Sequence, residues 1–239
     1  MIFDPLYILI LVVAGGMSFA AQMYVKKAFG GGQKIRLASG MCGRQVAERI
    51  LQDAGIDNVN IEMHQGFLSD HYNPMTRTLA LSPDVYNGVN ASAAGVAAHE
   101  VGHAIQHAKG YTLMWFRSLI VPVANIGSTI GPWLVIGGMF MGAAQGAGAG
   151  RWLALVGVIL FAAATLFTLV TVPVEFDASA RARERLVTIG ITQRGPEDDA
   201  VRKVLLAAGL TYVAAAIGSI LQLFYWALRS GLLGNSNDD

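Results

Sequence analysis

The chain has 239 residues, of which 54% are hydrophobic and only 14% charged, against roughly a quarter charged in a soluble domain, so the composition argues against a freely soluble protein. Seventeen Lys and Arg balance sixteen Asp and Glu to a net charge of +1, which offers no field to draw in nucleic acid and no acidic tail. Cys42 has no second cysteine to pair with; this excludes an internal disulfide framework and any paired-cysteine zinc or redox site, and a small buried side chain is expected there.

Four stretches contain no Asp, Glu, Lys or Arg: Pro5 to Val25, Ser118 to Gly150, Trp152 to Val174 and Val204 to Leu228. Each exceeds the roughly 20 residues a helix needs to cross a hydrocarbon core of about 30 Å. Backbone groups cannot be satisfied by water inside a bilayer, and nothing alternates with barrel period, so four transmembrane helices are expected. The first has no Lys or Arg before it and is longer than a signal-peptide core, which favours a retained anchor. The second holds Pro122, Gly127, Gly131 and Pro132, so its limits and straightness are the least defined by pattern.

Between the spans lie two polar regions, Lys26 to Arg117 and Glu175 to Lys203, which hold nine and six of the seventeen Lys and Arg. The positive-inside rule places both in the cytoplasm, with the amino terminus, the AAQGAGAG turn and the carboxyl tail outside. In the first polar region, Ser39 to Gly55 reads as an amphipathic helix with Val46, Ile50 and Leu51 on one face, solvated charges and a stop at Gly55. NPMTRTLALS reads as a turn into a short strand ending at Leu81, a candidate edge on which an extended peptide could add a strand. Ser92 to Ala108 is a strong helical run, broken at Gly110.

That last helix contains HExxH as His99, Glu100 and His103. Positions four apart lie about 40° apart around a helix, one turn along it, so the two imidazoles can converge on one metal ion. Glu100 then flanks the metal as a general base toward a metal-activated water, the mechanics of a metallopeptidase. With five His and six Glu in the chain, a shuffled sequence would contain the motif only about 0.3% of the time, which makes coincidence a poor explanation. His107 lies about 12 Å along the axis from His99, too far to share the ion. A catalytic zinc needs a third protein ligand. His64, His71, Asp177 and Glu184 are candidates, and Glu175, at the polar end of the third span, is the sharpest.

HEVGHAIQH together with DHYNP, LSPDVY and PVEFDAS resembles the bacterial membrane zinc peptidases of the YugP type, from about Leu37 to Arg185. More distantly, HExGH, a transmembrane hairpin and EFxA resemble the HtpX type of membrane protease. The resemblance implies that Glu175 is the third zinc ligand. The distant relatives carry an aspartate four residues later, supporting a ligand histidine; here that position is Ser179, leaving Asp177 as the carboxylate that could serve from another direction. Asp70, His71 and Tyr72, with Arg181 and Arg183 as rivals, are candidates to position substrate or stabilise the oxyanion.

The expected architecture is thus a mainly α integral membrane protein of about four transmembrane helices with a cytoplasmic zincin-like part of helices and short strands. Residues 1–25 form the anchor, 26–117 the zincin-like part with the HExxH helix, 118–174 a transmembrane hairpin, 175–203 a cytoplasmic helix with the third ligand, and 204–239 the last span and tail. The expected activity is zinc-dependent endopeptidase cleavage of membrane or membrane-proximal proteins, with one Zn2+ per chain held by His99, His103 and Glu175 and with Glu100 catalytic. Partners are a protein or peptide substrate and the lipid bilayer of the plasma membrane, and not nucleic acid; membrane protein partners and homo-oligomerisation stay open. Two alternatives remain: an inactive membrane scaffold, and an intramembrane protease with Ala91 to Ala108 itself in lipid.

Overall fold

The computed structural model describes residues 4–142 and 148–231; most of the AAQGAGAG turn and the carboxyl tail lie outside them. The protein is mainly helical. Among the described residues, four helices are long and apolar enough to cross a membrane: α1 (Pro5–Gln33), α5 (Thr112–Phe140), α6 (Gly148–Thr188) and α7 (Pro196–Arg229). Shorter elements fill the interval between the first two: α2 (Gly43–Asp53), strands β1 (Asn60–Met63), β2 (His71–Asn73) and β3 (Thr78–Leu81), α3 (Pro83–Tyr86) and α4 (Ala91–Ala108). The chain divides into two compact units, one of Met1–Phe19, Phe116–Val172 and Tyr212–Asp239, the other of Ala20–Trp115 and Pro173–Thr211.

In the first unit a small core of Ile10, Val135, Met139, Phe161, Tyr225 and Trp226 is buried, while Leu9, Val12, Leu119, Ile126, Trp133, Ile159 and Phe224 are exposed. Large apolar side chains pointing outward along long apolar helices are what contact with lipid tails requires. α5 stays helical through Pro122 and Pro132. It approaches α6 where neither helix can carry bulk: Gly127 abuts the backbone of Leu160, Gly131 abuts Gly157, and Gly138 abuts Gly150 and Ala154. These glycines therefore serve packing within the chain. Asp4 joins the ends of α1 and α7, accepting from the Tyr225 hydroxyl at 3.2 Å and pairing with Arg229 at 3.0 Å.

The second unit is built on α4, most of which is buried. Ala94, Ala97, Ala98, Val101, Ala104 and Ile105 share a core with Val46, Ile50 and Leu51 of α2, Leu79 and Leu81 of β3, Leu186 of α6, and Val201 and Leu205 of α7. The apolar character of α4 is thus used on protein neighbours. The Asn90 side chain caps the helix by accepting from the Ala93 N–H at 2.9 Å, and Gly110, at φ +64°, follows its end. α2 begins at Gly43, later than the pattern suggested, and Gly55 follows it at φ +68°. Cys42 is half-buried at the amino end of α2, not in the core. The charges of α2 are not all merely solvated, since Asp53 pairs with Arg185 of α6.

The sheet order is β1-β3-β2, with β1 parallel and β2 antiparallel to β3. β3 is therefore the central strand, and both its edges are already bonded. This corrects the expectation that it could accept a substrate strand. Leu79, Ala80 and Leu81 are all buried, and such a continuous apolar run marks a strand covered on both faces. The available edges belong to β1 and β2.

Candidate metal centre

His99 and His103 stand on one face of α4, their rings 4.8 Å apart between centroids. Glu175 enters from α6 with only 2% of its surface exposed. Its Oε2 lies 3.1 Å from His99 Nε2 and 3.5 Å from His103 Nε2. The three candidate ligand atoms all lie within 4.8 Å of one another.

The donor set can be tested against zinc. Two ligands about 2.05 Å from a tetrahedral ion are separated by about 3.3 Å, and the two contacts of Glu175 bracket that value. Two neutral imidazoles and one carboxylate are also the donor types that zinc takes in catalytic sites. The residues fit the ion.

A backbone feature makes this meeting geometrically available. A Cβ at Gly102 would lie 2.5 Å from the carbonyl oxygen of Ala178 and 3.1 Å from its carbonyl carbon. Only a glycine lets α4 come this close to the turn of α6 that follows Glu175. The residue between the two histidine turns thus sets the distance across which the carboxylate must reach.

Each histidine is held on its far side. His99 Nδ1 lies 3.1 Å from the Ser179 hydroxyl. His103 Nδ1 lies 2.9 Å from Gln106 Oε1, and Gln106 is fully buried. The Gln106 amide donates to the Val174 carbonyl at 2.8 Å and to Asp177 Oδ2 at 2.7 Å. Asp177 thus reaches His103 through Gln106, a residue that sequence reading missed. The available signal was spacing: Gln106 follows His103 by three and shares its helix face.

Burial works against a charged His103, but the hydrogen bond to Glu175 and the nearby Glu100 and Glu175 carboxylates outweigh it and raise its pKa above the ordinary imidazole value. Glu100, beside His99 on α4, is buried and stands outside the three-ligand group. Asp70 is half-buried, and that burial pushes its carboxyl pKa upward despite hydrogen bonds from the Ser82 N–H at 2.7 Å and the Ser82 hydroxyl.

The remaining candidates are placed elsewhere. Arg181 is committed to Asp177, its Nε donating at 2.6 Å, and Arg183 forms a two-pronged pair with Asp198 at 2.7 Å. The Tyr72 hydroxyl meets His107 Nδ1 at 2.9 Å, which gives His107 a partner separate from the three ligands. His71 is exposed, with its Nδ1 2.9 Å from the Ser69 carbonyl oxygen, and its ring stacks edge-on against His64. Among the described residues, neither His64 nor His71 joins a group able to hold a metal, and neither does Glu184.

Residues 7–231 match the family model described as "Putative neutral zinc metallopeptidase". The chain belongs to this family. It is also 43% identical over 223 residues to the "Putative membrane protease YugP" of Bacillus subtilis (strain 168), an alignment covering 93% of this chain and 96% of that protein. No solved structure matches. Family membership makes zinc the metal implied for this chain and peptide-bond hydrolysis its class of chemistry. The membrane-protease relative and the four long apolar helices make it a membrane metalloprotease.

Proposed function

We propose that this protein is a multi-pass endopeptidase of the plasma membrane whose active site faces the cytoplasm at the bilayer surface. In this reading residues 1–25 are the anchor, 26–117 and 175–203 together build a zincin-like catalytic part, 118–174 is a membrane hairpin, and 204–239 contributes the final span. His99, His103 and Glu175 hold the metal. The observation that carries the reading is the convergence of Glu175 Oε2 on both imidazoles from a position 76 residues after His99.

Zinc, when bound, supplies a Lewis acid for the attacking water and the scissile carbonyl. Glu100 takes the proton that the water loses as its oxygen bonds to the carbonyl carbon. The same carboxyl then passes that proton to the amide nitrogen as the carbon–nitrogen bond breaks, releasing the amine. With a metal bound, His99 and His103 would present their Nε2 lone pairs to it, with Ser179 and Gln106 as partners on their Nδ1 sides. The outer edge of β2, on the hairpin that precedes α4, is the edge offered to an extended substrate. Glu175 follows directly on the apolar stretch Trp152–Val174, which favours membrane proteins or membrane-proximal segments as substrates.

Detergent-purified protein should contain close to one zinc per chain, lost in His103→Ala. Glu100→Gln should keep that zinc and lose at least about 10²-fold in hydrolysis of an unfolded protein substrate. Undiminished turnover in Glu100→Gln would remove Glu100 from the chemistry. Well-folded protein that takes up no zinc would replace the enzyme reading with that of a scaffold.

A further inference from the structure

Gln106 is buried to 0% exposure, three residues beyond a metal-ligand candidate, and both ends of its amide are hydrogen-bonded. Its amide orientation follows from its neighbours. The Val174 carbonyl oxygen and Asp177 Oδ2 can only accept, and both lie within 2.8 Å of one end of the Gln106 side chain. That end must be the NH2 group. The other end is therefore the carbonyl oxygen, which lies 2.9 Å from His103 Nδ1 and can only accept from it. His103 must then carry a proton on Nδ1, so that Nε2, which faces Glu175 at 3.5 Å, is the nitrogen left to exchange its proton for a metal.

Asp177 is fixed in turn. Arg181 grips both of its oxygens, Nε at 2.6 Å from Oδ2 and the second guanidinium nitrogen at 3.2 Å from Oδ1. The guanidinium also lies 5.7 Å from the centre of the Tyr111 ring, within cation–π range. Donation runs from His103 to Gln106 and from Gln106 to Asp177, and Arg181 donates to Asp177 from the other side. Reversing the amide would set an NH2 against the Nδ1 proton and a carbonyl oxygen against the Asp177 carboxylate.

We infer that Gln106, locked by Asp177 and Arg181, is a positioning residue that sets the tautomer of His103 and thereby the strength of the metal centre. This carries the carboxylate support of the site to His103 through an amide, while His99 has only the Ser179 hydroxyl on its Nδ1 side. The inference rests on the metal reading of His99, His103 and Glu175.

The test measures zinc affinity by competition with a chromophoric chelator, and the visible absorption of the Co2+-loaded protein, which reports ligand geometry independently of turnover. Gln106→Met keeps the volume and removes the acceptor; zinc affinity should fall about 10- to 100-fold, the range for loss of a partner behind a ligand histidine. Gln106→Glu should also bind zinc poorly, because it sets a second carboxylate against Asp177. Asp177→Ala removes one of the two acceptors that fix the amide and leaves the Gln106–Val174 bond that ties α4 to α6. Zinc affinity should fall about 2- to 12-fold, the loss of one hydrogen bond, and the Co2+ spectrum should shift. A role limited to bridging two helices predicts parental affinity and spectrum in Asp177→Ala.

Parental zinc affinity in folded Gln106→Met would overturn the inference, as would parental affinity and spectrum in Asp177→Ala. If Gln106→Met does not fold, Asp177→Ala decides alone. Failure of the underlying metal reading is separate: the parent protein would then bind no zinc, or would keep it in His103→Ala.

Discussion

Replacing Gly102 by Ala tests whether the approach of two helices, rather than the ligand list alone, makes the metal centre. The added Cβ would sit 2.5 Å from the Ala178 carbonyl oxygen, whereas an ordinary carbon–oxygen contact is about 3.3 Å. α4 and α6 must therefore separate by about 0.8 Å or twist locally by an equivalent amount. Ala178 is three residues from Glu175, less than one helical turn, so the carboxylate is carried with it. Metal–ligand distances tolerate only about 0.2 Å. Overpacking of this kind costs about 1–3 kcal/mol; if that cost falls on the metal-bound state, zinc binding weakens about 5- to 150-fold. The assay is chelator competition on detergent-purified protein, with thermal unfolding of the metal-free form as the control for folding. A folded Gly102→Ala protein that binds zinc with parental affinity would refute the claim that helix approach sets the site.

Ser179→Ala removes a neutral hydrogen bond to His99, a loss of about 0.5–1.5 kcal/mol, so zinc affinity measured the same way should drop by no more than roughly tenfold. The raised pKa of His103 makes protons compete with zinc: affinity should fall as pH is lowered through that value, as a zinc titration at several pH values will read. In the metal-free protein the same shift contributes stability that is fully present below the unfolded imidazole pKa of about 6.5 and is lost as pH rises through the higher folded value. The difference in melting temperature between parent and His103→Gln, both stripped of metal, should therefore be larger at pH 6 than at pH 8.5. Met75 is 91% exposed in a segment proposed to be cytoplasmic. A cysteine placed there in a Cys42→Ser background should escape an impermeant maleimide in intact cells and react after lysis; labelling of intact cells would reverse the proposed orientation.

Much of this protein could be read from residue order because its strongest signals are local. A run of twenty apolar residues in a helix hides its own backbone polar groups, so the four long helices follow from composition along the chain with little help from neighbours. His99, Glu100 and His103 are likewise local, since one helical turn brings the two imidazoles to one face. Gly55 and Gly110 stop their helices by backbone freedom alone. Other features depended on partners far along the chain. The central place of β3 is decided by pairing with β1 and β2 on either side, and a four-residue apolar run does not say how many neighbours it will have. The apolar face of α4 could have met lipid or protein, and its packing against α2, α6 and α7 decided for protein. Glu175 was singled out by its place at the end of the third span and by resemblance, but its distance from two imidazoles is set by the contact between Gly102 and Ala178. Gln106 reads in isolation as an ordinary polar residue near a helix end. Its role arises because Val174 and Asp177 present only acceptors to one side of its amide, and that directionality exists only once α4 and α6 have met.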